Sequence, residues 1–293
     1  MREFVENDFP TVGIEQEFHL IDPDTAELVP LVDKVFEQLN EDLRKSTTYE
    51  LYLAVLEHQS PVCRTIDELL TETINSRRSI ARACEKVGAK LVAAGSHPFS
   101  DWRKVPIVPS DHYKWVIDHC AYLAHRLLSF GLHVHVGMKN IQSAMYAMYE
   151  MRRWVYPLLA LSSNSPYYEG SLTGLSSTRA HLFGSMPRTH LPPYFEDFEE
   201  LEEFFNKLVS AEDVLTPGEL WWMLRPQPPF GTVEIRAFDL PTDVRRLGAL
   251  AAISQATLSL YQNHYFEGIA PSKLNAAYLD QNHFKAMRYG LDC

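Results

Sequence analysis

Cysteine is scarce and scattered: Cys63, Cys84, Cys120 and Cys293 are the only four in 293 residues. They lie too far apart for a paired metal motif and are too few for a disulfide framework, so buried free thiols are expected. Glycine is thin as well, with 13 residues, and these form neither a Walker loop nor a GxGxxG turn from a strand into a helix, which excludes a standard nucleotide cradle. No Ser, Cys or Lys sits in a recognisable nucleophile motif, so covalent catalysis by the protein has no candidate. Long hydrophobic runs are missing too; those near Met223 and Ala251–Ile253 fall far short of a membrane span. Positive charge is in deficit, with 27 Lys and Arg against 38 Asp and Glu and a formal charge of -11, which argues against nucleic acid or an anionic membrane as partner. It does not argue against a nucleotide, because carboxylates recruit Mg²⁺ and the ion carries the phosphates. The opening MREFVENDFP lacks a basic start followed by an apolar core, so a cytoplasmic location is the default expectation.

What is present is an ordinary globular composition, 46% hydrophobic and 22% charged, long enough to bury a substantial core and read as one α+β domain over residues 1–293. Its most informative pattern is polar alternation in segments that read as strands. In TVGIEQEFHLID, Glu15 and Glu17 share a face while Ile14, Gln16 and Phe18 take the other. In GLHVHVG, His133 and His135 oppose Leu132, Val134 and Val136, and in FGTVEIRAFD, Glu234 and Arg236 oppose Val233, Ile235 and Ala237. Helical spacing marks 32–43, 66–87 with Thr65 and Glu68 as a capping pair, 112–130 and 143–161. The stretch 48–57 reads as a strand ending at Glu57, and 90–94 as another. A Gly-, Ser- and Pro-rich stretch of over thirty residues follows the last of those helices, a length that is usually functional or mobile, and the acidic run 196–203 then reads as the start of a solvated helix. Strands with one polar and one apolar face suit a sheet covered by helices on one side and exposed on the other.

Taken one at a time, these residues are undecided. Paired Glu residues are common on the solvated side of an edge strand, and single histidines are commonly structural. Together, Glu15, Glu17, Glu57 and Glu234 could line a carboxylate cradle with His133 and His135 on the same face. Zinc would favour a His-rich first shell using His133 and His135, whereas Glu-dominated ligation suits Mg²⁺, or Mn²⁺ as second candidate, and the acid count favours magnesium. Arg236 could hold a phosphoryl group or carboxylate bidentately. Arg179, in the flexible Ser/Gly stretch, could close over the same group, and Arg225 precedes a loop into the Arg236 strand.

The segments GIEQEFHLID, GSHPFSDW, RLLSFGLHVHVG, LSSNSPYYEGSLTGLSSTR, LRPQPPFGTVEIRAFD and NHFKAMRYGLD, in that order, together resemble the bacterial glutamate–cysteine ligase type 2 family, the carboxylate–amine ligases. The resemblance implies a glutamine-synthetase-like fold, an antiparallel sheet forming a funnel over helices with ATP and divalent ions inside. It implies that Glu15, Glu17, Glu57, His133 and Glu234 match the metal set, that Glu15, Glu17, Arg225 and Arg236 serve nucleotide binding, and that Arg236 and Arg179 contact the transferring phosphate or a substrate carboxylate. The implied reaction joins a glutamate-like carboxylate to an amine such as cysteine through an acyl phosphate, and a homodimer is a family-based expectation. Three departures stand out. Gln16 replaces a common third acid but falls on the packing face, and His112 stands where the family often has Arg. Family members usually continue past RYGLD, so exposed apolar surface is expected near the final helix. The competing readings are a zinc metallohydrolase using His133 and His135, and a non-catalytic small-molecule binding domain.

Overall fold

The computed structural model describes residues 3–293. Its centre is β1 (Val12–Ile21), whose alternating sequence puts Ile14 and Phe18 into a core while Glu15 and Glu17 face the other way. Strands β2 (Thr47–Tyr49), β3 (Val55–Gln59), β4 (Lys90–Val92), β5 (Gly131–Gly137), β8 (Leu224–Gln227) and β9 (Thr232–Asp239) join it, and a separate small hairpin is made by β6 (Tyr167–Tyr168) and β7 (Ser171–Leu172). Among the described residues the main sheet runs β2-β3-β1-β5-β9-β8, with β4 also on β1, and its pairings are antiparallel.

One face packs on helices α3 (Ile66–Lys86), α6 (Ile141–Ser162) and α9 (Val244–Phe266). Leu132, Val134, Val136, Val233 and Ile235 are completely shielded there, each worth about 1.5–3 kcal/mol of burial. Thr65 and Glu68 form the expected reciprocal cap of α3, and Asn140 and Ser143 do the same for α6. The α3–α9 crossing is close because Gly248 carries no Cβ, which would lie 2.8 Å from Leu70 Cδ2. Gln16 takes the packing face as expected, fully buried and accepting a bond from Arg77 Nε at 2.8 Å.

The opposite face is not exposed, which corrects the expectation drawn from alternation. The long connections fold over it as α4 (Asp111–Cys120), α5 (Tyr122–His125) and α7 (Thr178–Gly184), building apolar clusters with Leu51, Phe130 and Leu182, and with Val116, Cys120 and Met186. Several element bounds also differ. Residues 32–43 break into α1 (Val32–Phe36) and α2 (Glu41–Lys45), because Asn40 caps a new helix. Residues 48–57 turn back on themselves as the β2–β3 hairpin, and the expected 112–130 helix is interrupted at Ala121, whose φ of 48° is foreign to a helix. The acidic run leads into α8 (Phe198–Ser210), and α10 (Ala276–Tyr289) closes the described chain, with Tyr278, Phe284 and Leu291 exposed. Cys63, Cys84 and Cys120 are buried free thiols, whereas Cys293 is exposed. Among the described residues, no helix is long and apolar enough to cross a membrane.

Candidate active site

Register assembles the polar residues into a ladder across five strands. Glu57 of β3 lies opposite Glu17 of β1, Glu15 opposite His133 of β5, His135 opposite Glu234 of β9, and Glu234 opposite Arg225 of β8. Alternation along β5 turns both of its histidines to this face, and the register shift between Leu132 and Val134 is taken up by one extra residue on β9. His133 Nδ1 stands 2.7 Å from Glu15 Oε2 and its Nε2 3.2 Å from Glu17 Oε1, while His135 Nε2 is 3.4 Å from Glu15 Oε1. Glu17 also accepts the Gly131 backbone N–H. Glu234 is fully buried and accepts from Arg225 Nε at 2.5 Å, Arg236 Nη1 at 2.5 Å and Gln227 Nε2 at 2.6 Å.

Burial raises carboxylate pKa values here, and charged neighbours decide which stay raised. Glu15 ends well below its ordinary range because His133 and His135 overcome the cost of burial, and Glu17 is brought down to about 2 by His133 with help from Arg179. Glu234 falls far below the ordinary range, its desolvation outweighed by Arg225 and Arg236. Two acids go the other way. Burial and the Glu17 charge push Glu50 up to about 7, and burial with the Glu15 charge pushes Glu57 well above the usual range. Burial and Arg236 oppose the charge on His133, yet Glu15 and Glu17 raise it to about 9. The site thus holds more buried negative charge than its own cations neutralise, and protons on Glu50, Glu57 and His133 make up the difference.

This is the electrostatic signature of a cation site, and the donors fit one. Three sets of ligand atoms lie within 4.8 Å of one another: Glu15 with Glu57 and His133, Glu15 with His135 and Glu234, and Glu17 with Glu50 and Glu57. Nε2 of both His133 and His135 is buried and faces a carboxylate oxygen without hydrogen-bond geometry, which leaves each able to turn to a further ligand. The two histidines fall in different sets, and among the described residues no set unites them. Carboxylate-dominated sets with at most one imidazole suit hard divalent ions such as Mg²⁺ or Mn²⁺ and disfavour the His-rich zinc alternative.

Beside these sets opens a cavity of about 160 Å³, smaller than a drug-sized pocket of ~300–1,000 Å³ and suited to a small polar molecule. Glu17, Glu50, Arg179 and Arg236 supply its charge, and Phe183 and Trp221 are among its apolar walls; His112 also lines it, 3.7 Å from Glu219. One arginine differs from expectation. Arg179 is not in a flexible loop: it sits in the first turn of α7, 3% exposed, with both terminal nitrogens 3.3 Å from the Arg236 carbonyl oxygen. Arg225 lies within β8, before the short loop into β9 as expected, and donates to Glu234 and to the Gly218 and Leu220 carbonyls. Glu50 was missed because a continuous strand over 48–57 puts residues seven apart on opposite faces; the hairpin turn brings both acids to one side.

Comparison with known proteins supplies the family. The glutamate–cysteine ligase family 2 model matches residues 11–293. A Chloroflexus aggregans protein, provisionally named glutamate–cysteine ligase 2, is 36% identical over 283 residues, covering 96% of this chain and 72% of its own length. A bifunctional glutathione synthetase from Pasteurella multocida superposes with a TM-score of 0.73 at 11% identity, over 96% of this chain and 42% of that one. A glutamate–cysteine ligase from Francisella tularensis, solved in complex with AMP, superposes with a TM-score of 0.71 at 11% identity, over 99% of this chain and 73% of that one. These likenesses confirm the glutamine-synthetase-like α+β fold. With a family match over almost its whole length and a relative sharing more than a third of its residues, the chain belongs to glutamate–cysteine ligase family 2.

Proposed function

We propose that this chain is an ATP-dependent carboxylate–amine ligase that forms an amide bond, with a glutamate-like γ-carboxylate as the activated acid and a small amine such as cysteine as acceptor. The observation that carries the reading is the juxtaposition of three carboxylate-rich cation sets with two guanidiniums at one small cavity, in a chain of this family. The described residues belong to one domain, since the sheet that bears the site and the helices behind it share one core.

Glu15, Glu17, Glu57, His133 and Glu234 would hold Mg²⁺ or Mn²⁺, with Glu50 and His135 within reach of the same sets. Bound there, the ions would offset phosphate charge. The substrate carboxylate oxygen attacks the γ-phosphorus of ATP, the bond to the bridging oxygen breaks and ADP leaves. The amine then attacks the acyl carbon, phosphate departs and the amine loses a proton. Arg236 and Arg179 hold the phosphoryl oxygens or the substrate carboxylate. No enzyme nucleophile is needed, in keeping with the absence of such a motif.

The test is phosphate release from Mg²⁺-ATP with glutamate held constant while cysteine, other amino acids and simple amines are varied, with products weighed by mass spectrometry. Phosphate appearing only with a particular pair, together with its amide, is the expected result. Nucleotide binding with no phosphate release under any acid–amine pair would refute the ligase and leave the non-catalytic binding reading, and phosphate release that no pair stimulates would refute the ligase as well.

A further inference from the structure

Asp239 ends β9, the strand that also carries Glu234 and Arg236, and it is fully buried although none of the cation sets among the described residues involves it. Its carboxylate accepts three short hydrogen bonds: from the Asn164 backbone N–H at 2.7 Å and the Ser165 hydroxyl at 2.6 Å, both on Oδ2, and from the Ser177 hydroxyl at 2.7 Å on Oδ1. Each hydroxyl then accepts a backbone N–H from the first turn of α7: Ser165 Oγ from Arg179 at 3.1 Å and Ser177 Oγ from Ala180 at 3.1 Å. The Thr178 N–H bonds the Ser165 carbonyl at 2.9 Å, which docks the helix start onto the segment Asp239 holds.

The direction of the relay gives it meaning. A hydroxyl that donates to a carboxylate has its lone pairs free for amides, so Asp239 orients both serines as acceptors aimed at the helix start. The residue fixed most directly is Arg179, whose guanidinium lies back over β5 and β9. It donates to the Arg236 carbonyl and passes so close to Gly131 that a Cβ there would sit 2.1 Å from Nη2. Space around Asp239 is similarly closed, since a Cβ on Gly95 would meet its carboxylate at 2.7 Å. Asp239 and Arg179 also offset each other's charge in this dry region.

We infer that Asp239 is a positioning residue for Arg179: through Ser165 and Ser177 it sets the start of α7 so that the guanidinium reaches the Arg236 end of the cavity. This inference rests on the reading of Arg179 as a group that contacts the reacting phosphoryl or carboxylate oxygens. Because misplacement by about 1 Å can cost roughly 10²-fold in rate, Asp239→Asn should lower kcat by about that factor while leaving Mg²⁺-ATP affinity within about twofold, since the cation sets are untouched.

The experiment is a double-mutant cycle on ligase turnover with Asp239→Asn, Arg179→Ala and the pair. If Asp239 acts through Arg179, the double variant is no slower than Arg179→Ala alone. A further loss of about tenfold in the double variant, or full activity in Asp239→Asn beside a crippled Arg179→Ala, overturns the inference. Full activity in Arg179→Ala instead overturns the underlying role of Arg179, so the two failures are distinct. Should Asp239→Asn fail to fold, Ser165→Ala and Ser177→Ala each cut one arm. Ser165→Ala is expected to reduce kcat more, because its arm ends on Arg179 itself, and equal turnover in both and the parent would refute the relay.

Discussion

Binding of Mg²⁺ should displace protons from this site, and the number follows from the buried acids. Without the ion, burial and Glu17 push Glu50 up to about 7; against burial and Arg236, Glu15 and Glu17 raise His133 to about 9; and Glu57 is held well above its ordinary range by burial and Glu15. A divalent ion takes the ionised carboxylate and the neutral imidazole, so each of these protons must leave. Each displaced proton changes affinity by about tenfold per pH unit wherever the free site still carries it. Between pH 8 and pH 6, His133 contributes about two decades and Glu50 about one, giving roughly a 10³-fold weaker Kd at pH 6, with Glu57 adding to it. Stability obeys the same signs. Between 4.5 and 7 an unfolded Glu50 is ionised while the folded one keeps its proton, and between 6.5 and 9 the same holds in favour of protonated His133. The native state then binds more protons, so metal-free stability falls as pH rises through these windows and the gain on adding Mg²⁺ grows. Titration calorimetry at three pH values, each in two buffers of different ionisation enthalpy, measures affinity and proton release together. Glu50→Gln should remove about one decade between pH 7 and 6 and leave the higher-pH slope intact. Release of less than about one proton at pH 6, or an affinity that moves less than about tenfold from pH 8 to 6, would refute this account of the cradle.

Three other outcomes follow from single side chains. Glu234→Gln leaves two guanidiniums facing a neutral amide in a closed site, so stability should fall by ~3–5 kcal/mol, roughly 6–15 °C in thermal midpoint, and a shift of under about 2 °C would show that Arg225 and Arg236 do not depend on its charge. Gly131→Ala should drive the Arg179 guanidinium off β5, because the new Cβ would lie 2.1 Å from Nη2; kcat should drop by about 10²-fold with Mg²⁺ binding retained, whereas unchanged turnover would mean Arg179 has no part in the reaction. His283, stacked on Tyr156 with ring centroids 4.9 Å apart, is pushed down to about 4 by burial and by His190. From pH 6.5 to 4 the unfolded chain takes up a proton the folded one refuses, so His283 alone should cost about 3 kcal/mol over that window, and His283→Phe should flatten the acid limb of a denaturation series.

Period-two alternation was enough to place Glu15, Glu17, His133, His135, Glu234 and Arg236 on one face, because that geometry depends on the backbone alone. It could not say whether the face meets water. Alternation ordinarily signals a solvated side, yet α4, α5 and α7 close over it, and their cover is what turns ordinary carboxylates into groups that hold or shed protons far from their usual pH. Glu50 escaped notice for a related reason: the turn after β2 cancels the parity that separates it from Glu57, and such a turn without Gly, Asn or Pro in ELYLAV leaves little local mark. Arg179 was legible as a candidate but not as a fixed one. Ser, Gly and Pro mark loops by propensity, whereas here Ser165 and Ser177 use their hydroxyls to tie a helix start to a buried carboxylate 62 residues or more further along the chain. The alternation signal therefore finds the residues that face the chemistry, while the distances at which they act are set by long-range polar contacts that leave no periodic trace. For this reason the most sensitive probes of the site are changes such as Asp239→Asn and Gly131→Ala, which keep the reactive groups and move only what holds them.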